Sequence, residues 1–168
     1  MKAKKKTNVF LVDDDPLFLE ALRHFLSEGN KTSLNIKTFS TGEACLEQMD
    51  ENPDIVILDY YLNSSVKKAM NGIAVLKRIK HSHPLVKVVL LSAQDNVEIA
   101  METIEHGAFD YVYKSESAFV RIKNIIMNIS HGNSLAKELD NKIALYKKIN
   151  ITFIIIVALL FILSRIIK

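Results

Sequence analysis

The chain has 168 residues, of which 49% are hydrophobic and 24% charged, and this fits one globular domain with an appendage better than two domains. Its formal charge of +3 comes largely from Arg165 and Lys168 near the end, so the remainder is nearly neutral and gives no electrostatic argument for nucleic-acid binding. A single cysteine, Cys45, excludes an intramolecular disulfide and a cysteine-rich metal site, and we expect it in the core.

Apolar runs and helical patterns alternate regularly over the first 130 residues. The patterns predict strands at 9–12, 34–39, 55–58, 88–91 and 111–113, and helices at 16–28, 41–49, 71–80, 97–106 and 118–129. The first helix is expected to carry Phe18, Leu22 and Phe25 on one face, and Asn71 is expected to cap the third. Five strand-helix units predict an α/β fold, a doubly wound parallel sheet with helices on both faces.

A different pattern follows His131-Gly132-Asn133. Apolar residues then recur every three or four positions, which predicts an amphipathic linker helix over 131–148. Its apolar stripe could pair in a coiled-coil homodimer, contact the domain or lie along a lipid surface, and the sequence leaves these alternatives open.

The last segment is strongly apolar. Residues 149–164 carry no charge and are flanked by basic residues, so we expect a transmembrane anchor over 149–167, slightly shorter than the roughly 18 to 20 residues that span a bilayer comfortably. Lysines on the near side predict a domain on the cytoplasmic side of the cell inner membrane.

Polar side chains follow four of the predicted strands at the point where each strand ends. They are Asp13 and Asp14, Asp59, Ser92 and Lys114. The carboxyl ends of parallel strands meet at one edge of a sheet, so these side chains should converge. Three close carboxylates require a counter-charge, which predicts Mg²⁺, and a carboxylate beside a cation can accept a phosphoryl group.

Each of these residues also has a structural explanation. Asp15-Pro16 has the form of a helix cap followed by a first-turn proline, and the other residues could be ordinary polar side chains at strand ends. Because four strand ends together supply the residues that phosphoryl transfer needs, we favour a phosphoryl-accepting site over these separate explanations.

Four segments carry a resemblance to a known family. They are Val9-Phe-Leu-Val-Asp-Asp-Asp-Pro16, Ile55-Val-Ile-Leu-Asp59, Val88-Val-Leu-Leu-Ser-Ala93 and Gly107-Ala-Phe-Asp-Tyr-Val-Tyr-Lys114. Over Met1 to about Ile129 the chain resembles the receiver domain of two-component response regulators. The resemblance implies a flavodoxin-like sheet with strand order 2-1-3-4-5 and a receiver domain over residues 1–130.

The resemblance also implies a role for each site residue. Asp59 would be the phosphoacceptor, Asp13 and Asp14 the acidic pocket, and Lys114 the active-site lysine. Mg²⁺ would be held by Asp13, Asp14, Asp59 and the backbone carbonyl of Tyr61, while Ser92 and Tyr111 would form the switch. Ser115 stands where the family usually has proline, and the loop 62–70 is longer than usual.

The expected function is a phosphorelay switch rather than an enzyme. A histidine kinase or phosphotransfer protein would supply the phosphoryl group, and an output protein of unknown identity would recognise the switched surface. No DNA-binding unit follows the domain in this sequence, so direct DNA binding is not expected. The alternative is a pseudo-receiver that recruits partners to the membrane without phosphorylation. A metal-dependent phosphatase is disfavoured because Tyr60 and Tyr61 occupy the place of its general acid.

Overall fold

The computed structural model describes residues 6–28, 34–62 and 70–166, the last range without the side chains at 133–134, 137–138, 140–141, 150 and from 152 onward. Most of the loop 62–70, including Lys67 and Lys68, lies outside the described residues. The strands are β1 (Thr7–Val12), β2 (Leu34–Phe39), β3 (Ile55–Asp59), β4 (Lys87–Ser92) and β5 (Asp110–Tyr113). They form a parallel sheet in the order β2-β1-β3-β4-β5, which confirms the predicted topology.

The central strands are buried because helices cover both faces of the sheet. All five residues of β3 are buried, as expected for a continuous apolar run in a parallel sheet. Alternate residues point to opposite faces, and Phe10, Val56 and Val88 belong to a core cluster on one of them. That cluster also contains Cys45, which confirms the prediction that the thiol is a core residue.

The helices are α1 (Pro16–Ser27), α2 (Gly42–Glu47), α3 (Gly72–Ser82), α4 (Val97–Glu105) and α5 (Ala118–Ile166), with a short 3-10 helix at Met49–Glu51. Asp15 caps α1 and Asn71 caps α3, both as predicted. The buried residues of α1 are Leu19, Leu22 and Leu26. Phe18 and Phe25, predicted on the same face as Leu22, are half-buried at the edge of that face.

The last helix differs most from its prediction. It is continuous over 49 residues, so it does not end at residue 129 as predicted but runs on through the segment predicted as a separate linker helix, 131–148. Gly132 is accommodated inside it, because glycine in an exposed helix interior costs only about 1 kcal/mol. Four residues of its first turns are buried: Ile122, Ile125, Ile126 and Ile129. The chain divides into two compact units, Met1–Met127 and Asn128–Lys168.

The predicted transmembrane helix is not supported. Among the residues that the structure describes, no helix combines the length and the apolar character needed to cross a membrane. The segment predicted as the anchor, 149–167, falls mostly on positions whose side chains lie outside that description.

Candidate functional site

The carboxyl ends of the strands bring the predicted polar residues together. Asp13 follows β1 directly, Asp59 ends β3, Ser92 ends β4 and Lys114 follows β5. Backbone hydrogen bonds continue past the strands, since the Lys114 amide donates to the Ser92 carbonyl at 2.8 Å. Asp13, Asp59 and Ser92 are all buried, so the site lies in the floor of the crevice rather than on its rim.

Three carboxylates form the centre of this site. Carboxylate oxygens of Asp13, Asp14 and Asp59 all lie within 4.8 Å of one another. Oxygen donors grouped in this way are the ligands that Mg²⁺ prefers, and a divalent ion would remove their mutual repulsion. The donor set therefore fits the predicted metal.

The ammonium group of Lys114 joins two of these carboxylates. Its Nζ donates a hydrogen bond to Asp13 Oδ2 at 2.7 Å and forms an ion pair with Asp59 Oδ1 at 2.8 Å. The second contact places the positive charge of Lys114 directly against the buried carboxylate of Asp59. One ammonium group thus bridges the carboxylates of Asp13 and Asp59.

Burial and mutual contact change the pKa values of Asp13, Asp59 and Lys114. Burial is the main cause that raises the pKa of Asp13 and of Asp59, and contact with Lys114 only partly offsets it. Burial by itself would lower the pKa of Lys114, but the two carboxylates raise it above its usual value. The lysine is consequently charged at neutral pH, while the carboxylates gain from any further cation.

Ser92 and Tyr111, the two predicted switch residues, contact the same neighbour. The backbone amide of Gln94 donates to Ser92 Oγ at 3.1 Å, and the Tyr111 hydroxyl donates to the backbone carbonyl of Gln94 at 2.6 Å. The Tyr61 hydroxyl donates to Gln94 Oε1 at 3.0 Å. Gln94 therefore links three predicted site residues, although nothing in the sequence beyond its position after Ser92 indicated this. The Tyr61 carbonyl as a metal ligand stays a prediction.

Two further features bear on Lys114. The peptide bond to Ser115 is trans, as are all described peptide bonds. The Lys114 Nζ also lies over the ring of Phe18, at 4.6 Å from the ring centroid. The sequence did not indicate this second contact, because Phe18 matches an ordinary core position in a helical pattern.

Comparison with known proteins points to one family. The sequence profile of the response regulator receiver domain matches residues 9–127. The DNA-binding transcriptional regulator NtrC of Escherichia coli (strain K12) is 30% identical over 124 residues, which cover 73% of this chain and 25% of NtrC. A cyclic di-GMP phosphodiesterase of Thermotoga maritima is 29% identical over 150 residues, covering 83% of this chain and 37% of that protein.

A solved structure agrees with these sequence matches. The crystal structure of the receiver domain of NtrX from Brucella abortus superposes with a TM-score of 0.60 and 27% identity, covering 71% of this chain and 98% of that domain. The chain thus spans about a quarter of the length of NtrC but nearly the whole of a solved receiver domain.

Proposed function

Because the chain belongs to the response regulator receiver domain family, we propose that it is the receiver of a two-component phosphorelay and accepts a phosphoryl group on Asp59. The observation that carries this proposal is the grouping of Asp13, Asp14 and Asp59 within 4.8 Å, with the Lys114 ammonium at 2.8 Å from Asp59. A scaffold that bound partners without phosphorylation would not need this buried arrangement of charges.

The transfer step follows from the contacts of Asp59. One carboxylate oxygen attacks phosphorus, and the new O–P bond forms as the bond between phosphorus and the donor breaks, leaving its electron pair on the donor. Lys114 exchanges its contact with Asp59 Oδ1 for one with a phosphoryl oxygen and neutralises part of its charge. Asp13, Asp14, Asp59 and the Tyr61 carbonyl would hold Mg²⁺, which would supply further charge neutralisation.

The switch proposal starts from the contacts of Gln94. Ser92 Oγ accepts a hydrogen bond from the Gln94 backbone amide, and its own hydroxyl hydrogen would be donated to a phosphoryl oxygen on Asp59. The Tyr111 hydroxyl donates to the backbone carbonyl of the same residue, so a displacement of Ser92 would also alter the position of the Tyr111 side chain. The adjoining helix α4 exposes Val97, Met101 and Ile104, which would form the surface that the output protein recognises.

The direct test is phosphorylation of the full chain by acetyl phosphate and Mg²⁺, measured by intact mass. The wild type should gain one phosphoryl group and Asp59→Asn should gain none. Asp15→Asn is the matched control, because Asp15 is exposed and caps α1, a role that asparagine fills equally well. A wild type that stays unmodified, with both this donor and a histidine kinase, would favour the pseudo-receiver alternative.

The proposed partners of the chain are a phosphoryl donor and a second copy of the chain, and both proposals rest on the sequence. The donor is a histidine kinase or a phosphotransfer protein, and the linker stripe in α5, which includes the exposed Leu135 and Leu139, is proposed to pair two copies of the chain. Sedimentation of the wild type and Leu139→Glu tests the pairing, since only the wild type should form dimers.

Location at a membrane, with the receiver on the cytoplasmic side, stays a prediction from the composition of residues 149–164. Flotation of the full chain with lipid vesicles tests it. The wild type should float and the double variant Ile156→Lys, Leu160→Lys should not. A wild type that remains in the aqueous fraction would refute membrane attachment without affecting the phosphoryl chemistry.

A further inference from the structure

The Lys114 ammonium has an aromatic neighbour as well as acidic ones. Its Nζ lies 4.6 Å from the centroid of the Phe18 ring, over the ring, while contacting Asp13 and Asp59 at 2.7 and 2.8 Å. A cation within about 6 Å of a ring centroid is attracted by the negative potential of the ring face. The position of the ammonium is therefore defined by two carboxylates and one ring.

The backbone of Phe18 is tied to the same acidic pocket. The Asp15 side chain caps α1 by accepting hydrogen bonds from the amides of Leu17 and Phe18, at 2.9 and 3.2 Å. The Asp15 amide in turn donates to Asp13 Oδ1 at 3.0 Å. Asp13 thus contacts Lys114 through one oxygen and, through Asp15, helps to place the ring that Lys114 lies over.

The Phe18 ring is also held from α5. Phe119 meets it edge to face, with centroids 5.3 Å apart and planes at 79°. Phe119 contacts Phe25 as well, at 5.7 Å, so three rings form a small cluster between α1 and α5. Edge-to-face pairs are a preferred aromatic geometry, and this one limits the movement of the ring beside the ammonium.

A fixed ring matters because the lysine side chain is long. The Lys114 amide is anchored to the Ser92 carbonyl, but four flexible carbons separate that anchor from the ammonium. In the transfer step the ammonium must leave Asp59 Oδ1 and contact a phosphoryl oxygen. The Phe18 ring beside it restricts the positions that the ammonium can occupy and shields it from water.

We propose that Phe18 is a positioning residue for Lys114, one that keeps the ammonium at the acidic crevice during phosphoryl transfer. This inference rests on the proposed function, since Lys114 acts on the phosphoryl group only if Asp59 accepts one. The competing explanation is that Phe18 only fills space against Phe119. The two explanations differ in what an aliphatic side chain of similar size should do.

The test compares Phe18→Leu with Phe18→Tyr in the full chain. The initial rate of phosphorylation by acetyl phosphate with Mg²⁺ should fall about fivefold to tenfold in Phe18→Leu, as expected for the loss of a partly desolvated cation–π contact. Phe18→Tyr keeps the ring and should stay within about twofold of the wild type. Equal rates in both variants, whether slow or normal, would overturn the inference.

A matched control is available on the same helix. The Phe25 ring also pairs with Phe119 and also has a lysine over it, but that lysine is Lys123, with Nζ at 5.0 Å from the ring centroid. Phe25→Leu removes an equivalent aromatic and cationic contact outside the crevice, so it should leave the phosphorylation rate unchanged. A rate loss equal to that of Phe18→Leu would assign the effect to packing and refute the inference.

A spectroscopic measurement separates this inference from the proposed function. In the wild type, the ring current of Phe18 should shift the NMR signals of the Lys114 methylene next to Nζ, and Phe18→Leu should return them to ordinary values. Phe18→Tyr should keep the shift. If the wild type accepts no phosphoryl group, the proposed function fails, and the inference fails with it because the ring then positions no catalytic group. If the wild type is phosphorylated normally but its Lys114 signals are unshifted, only this inference is overturned.

Discussion

The backbone carbonyl of Asp59 lies so close to Gly72 that a Cβ atom on Gly72 would come within 2.3 Å of its oxygen. The same Cβ would lie 2.7 Å from the Tyr60 Cα, and both neighbours are backbone atoms that cannot turn away as a side chain can. The Gly72 amide also donates to the Tyr60 carbonyl at 2.9 Å. The start of α3 is therefore seated directly against the segment that carries Asp59.

Gly72→Ala should consequently destabilise the domain. We expect the free energy of unfolding to fall by about 1 to 3 kcal/mol, the usual cost of an added carbon in a tightly packed place, because backbone must move to admit the methyl group. Urea unfolding measures it. Gly132→Ala is the control, since nothing described lies within 4 Å of its Cβ and alanine is the better helix former, so a gain of about 0.5 to 1 kcal/mol is expected there.

The thiol of Cys45 should be unreactive in the folded protein. Its side chain is fully buried, and burial raises the pKa of the thiol to about 12. Because the thiolate is the reacting species, labelling by a disulfide reagent at about pH 8 should be at least 100-fold slower than in urea. The chain has one cysteine, so the signal has a single source. Rapid labelling without denaturant would contradict the buried position.

The sequence predicted the sheet and the crevice well because both depend on local signals. The apolar run Ile55-Val-Ile-Leu58 defines a strand buried on both faces, and the polar residue that ends such a strand must lie at the carboxyl edge of the sheet. No contact had to be known in advance to place Asp59 beside Asp13.

Other features depend on contacts that a linear pattern does not contain. Phe18 occupies an apolar helical position, and only the course of β5 and α5 brings Lys114 and Phe119 to its ring. Gln94 is an exposed loop residue whose link to Tyr111 requires the fold. The predicted helix end at residue 129 was wrong because Gly132, in the segment that follows, weakens a helix without obliging it to stop.

Asp59→Asn should stabilise the metal-free protein at neutral pH. Burial raises the pKa of Asp59 above 3.8, so between that value and the folded-state pKa the native protein holds a proton that the unfolded chain has released. The contribution of this group to stability therefore falls as the pH rises through that window, and Asp13 behaves in the same way.

Urea midpoints in EDTA between about pH 4 and about pH 7 measure the effect. The wild type should lose more stability across this range than Asp59→Asn, while Asp50→Asn, which removes an exposed carboxylate, should follow the wild type. A larger loss in Asp59→Asn than in the wild type would show that the Lys114 ion pair outweighs the cost of burying the carboxylate.

Mg²⁺ should raise the melting temperature of the wild type, because a cation bound only by the folded state offsets the repulsion among Asp13, Asp14 and Asp59. At 100 times its dissociation constant the ion would contribute about 2.7 kcal/mol. Asp13→Asn keeps an oxygen that can accept from the Asp15 amide but removes one charged ligand, so its melting temperature should respond much less.

Ordinary screening by salt must be separated from this binding, because added ions weaken carboxylate repulsion without occupying a site. A KCl series at matched ionic strength provides the comparison, and it should raise the melting temperatures of wild type and Asp13→Asn to similar extents. Specific binding then appears as the part of the Mg²⁺ response that KCl does not reproduce and that Asp13→Asn loses. If Mg²⁺ and KCl act alike on the wild type, the three carboxylates do not form a metal site.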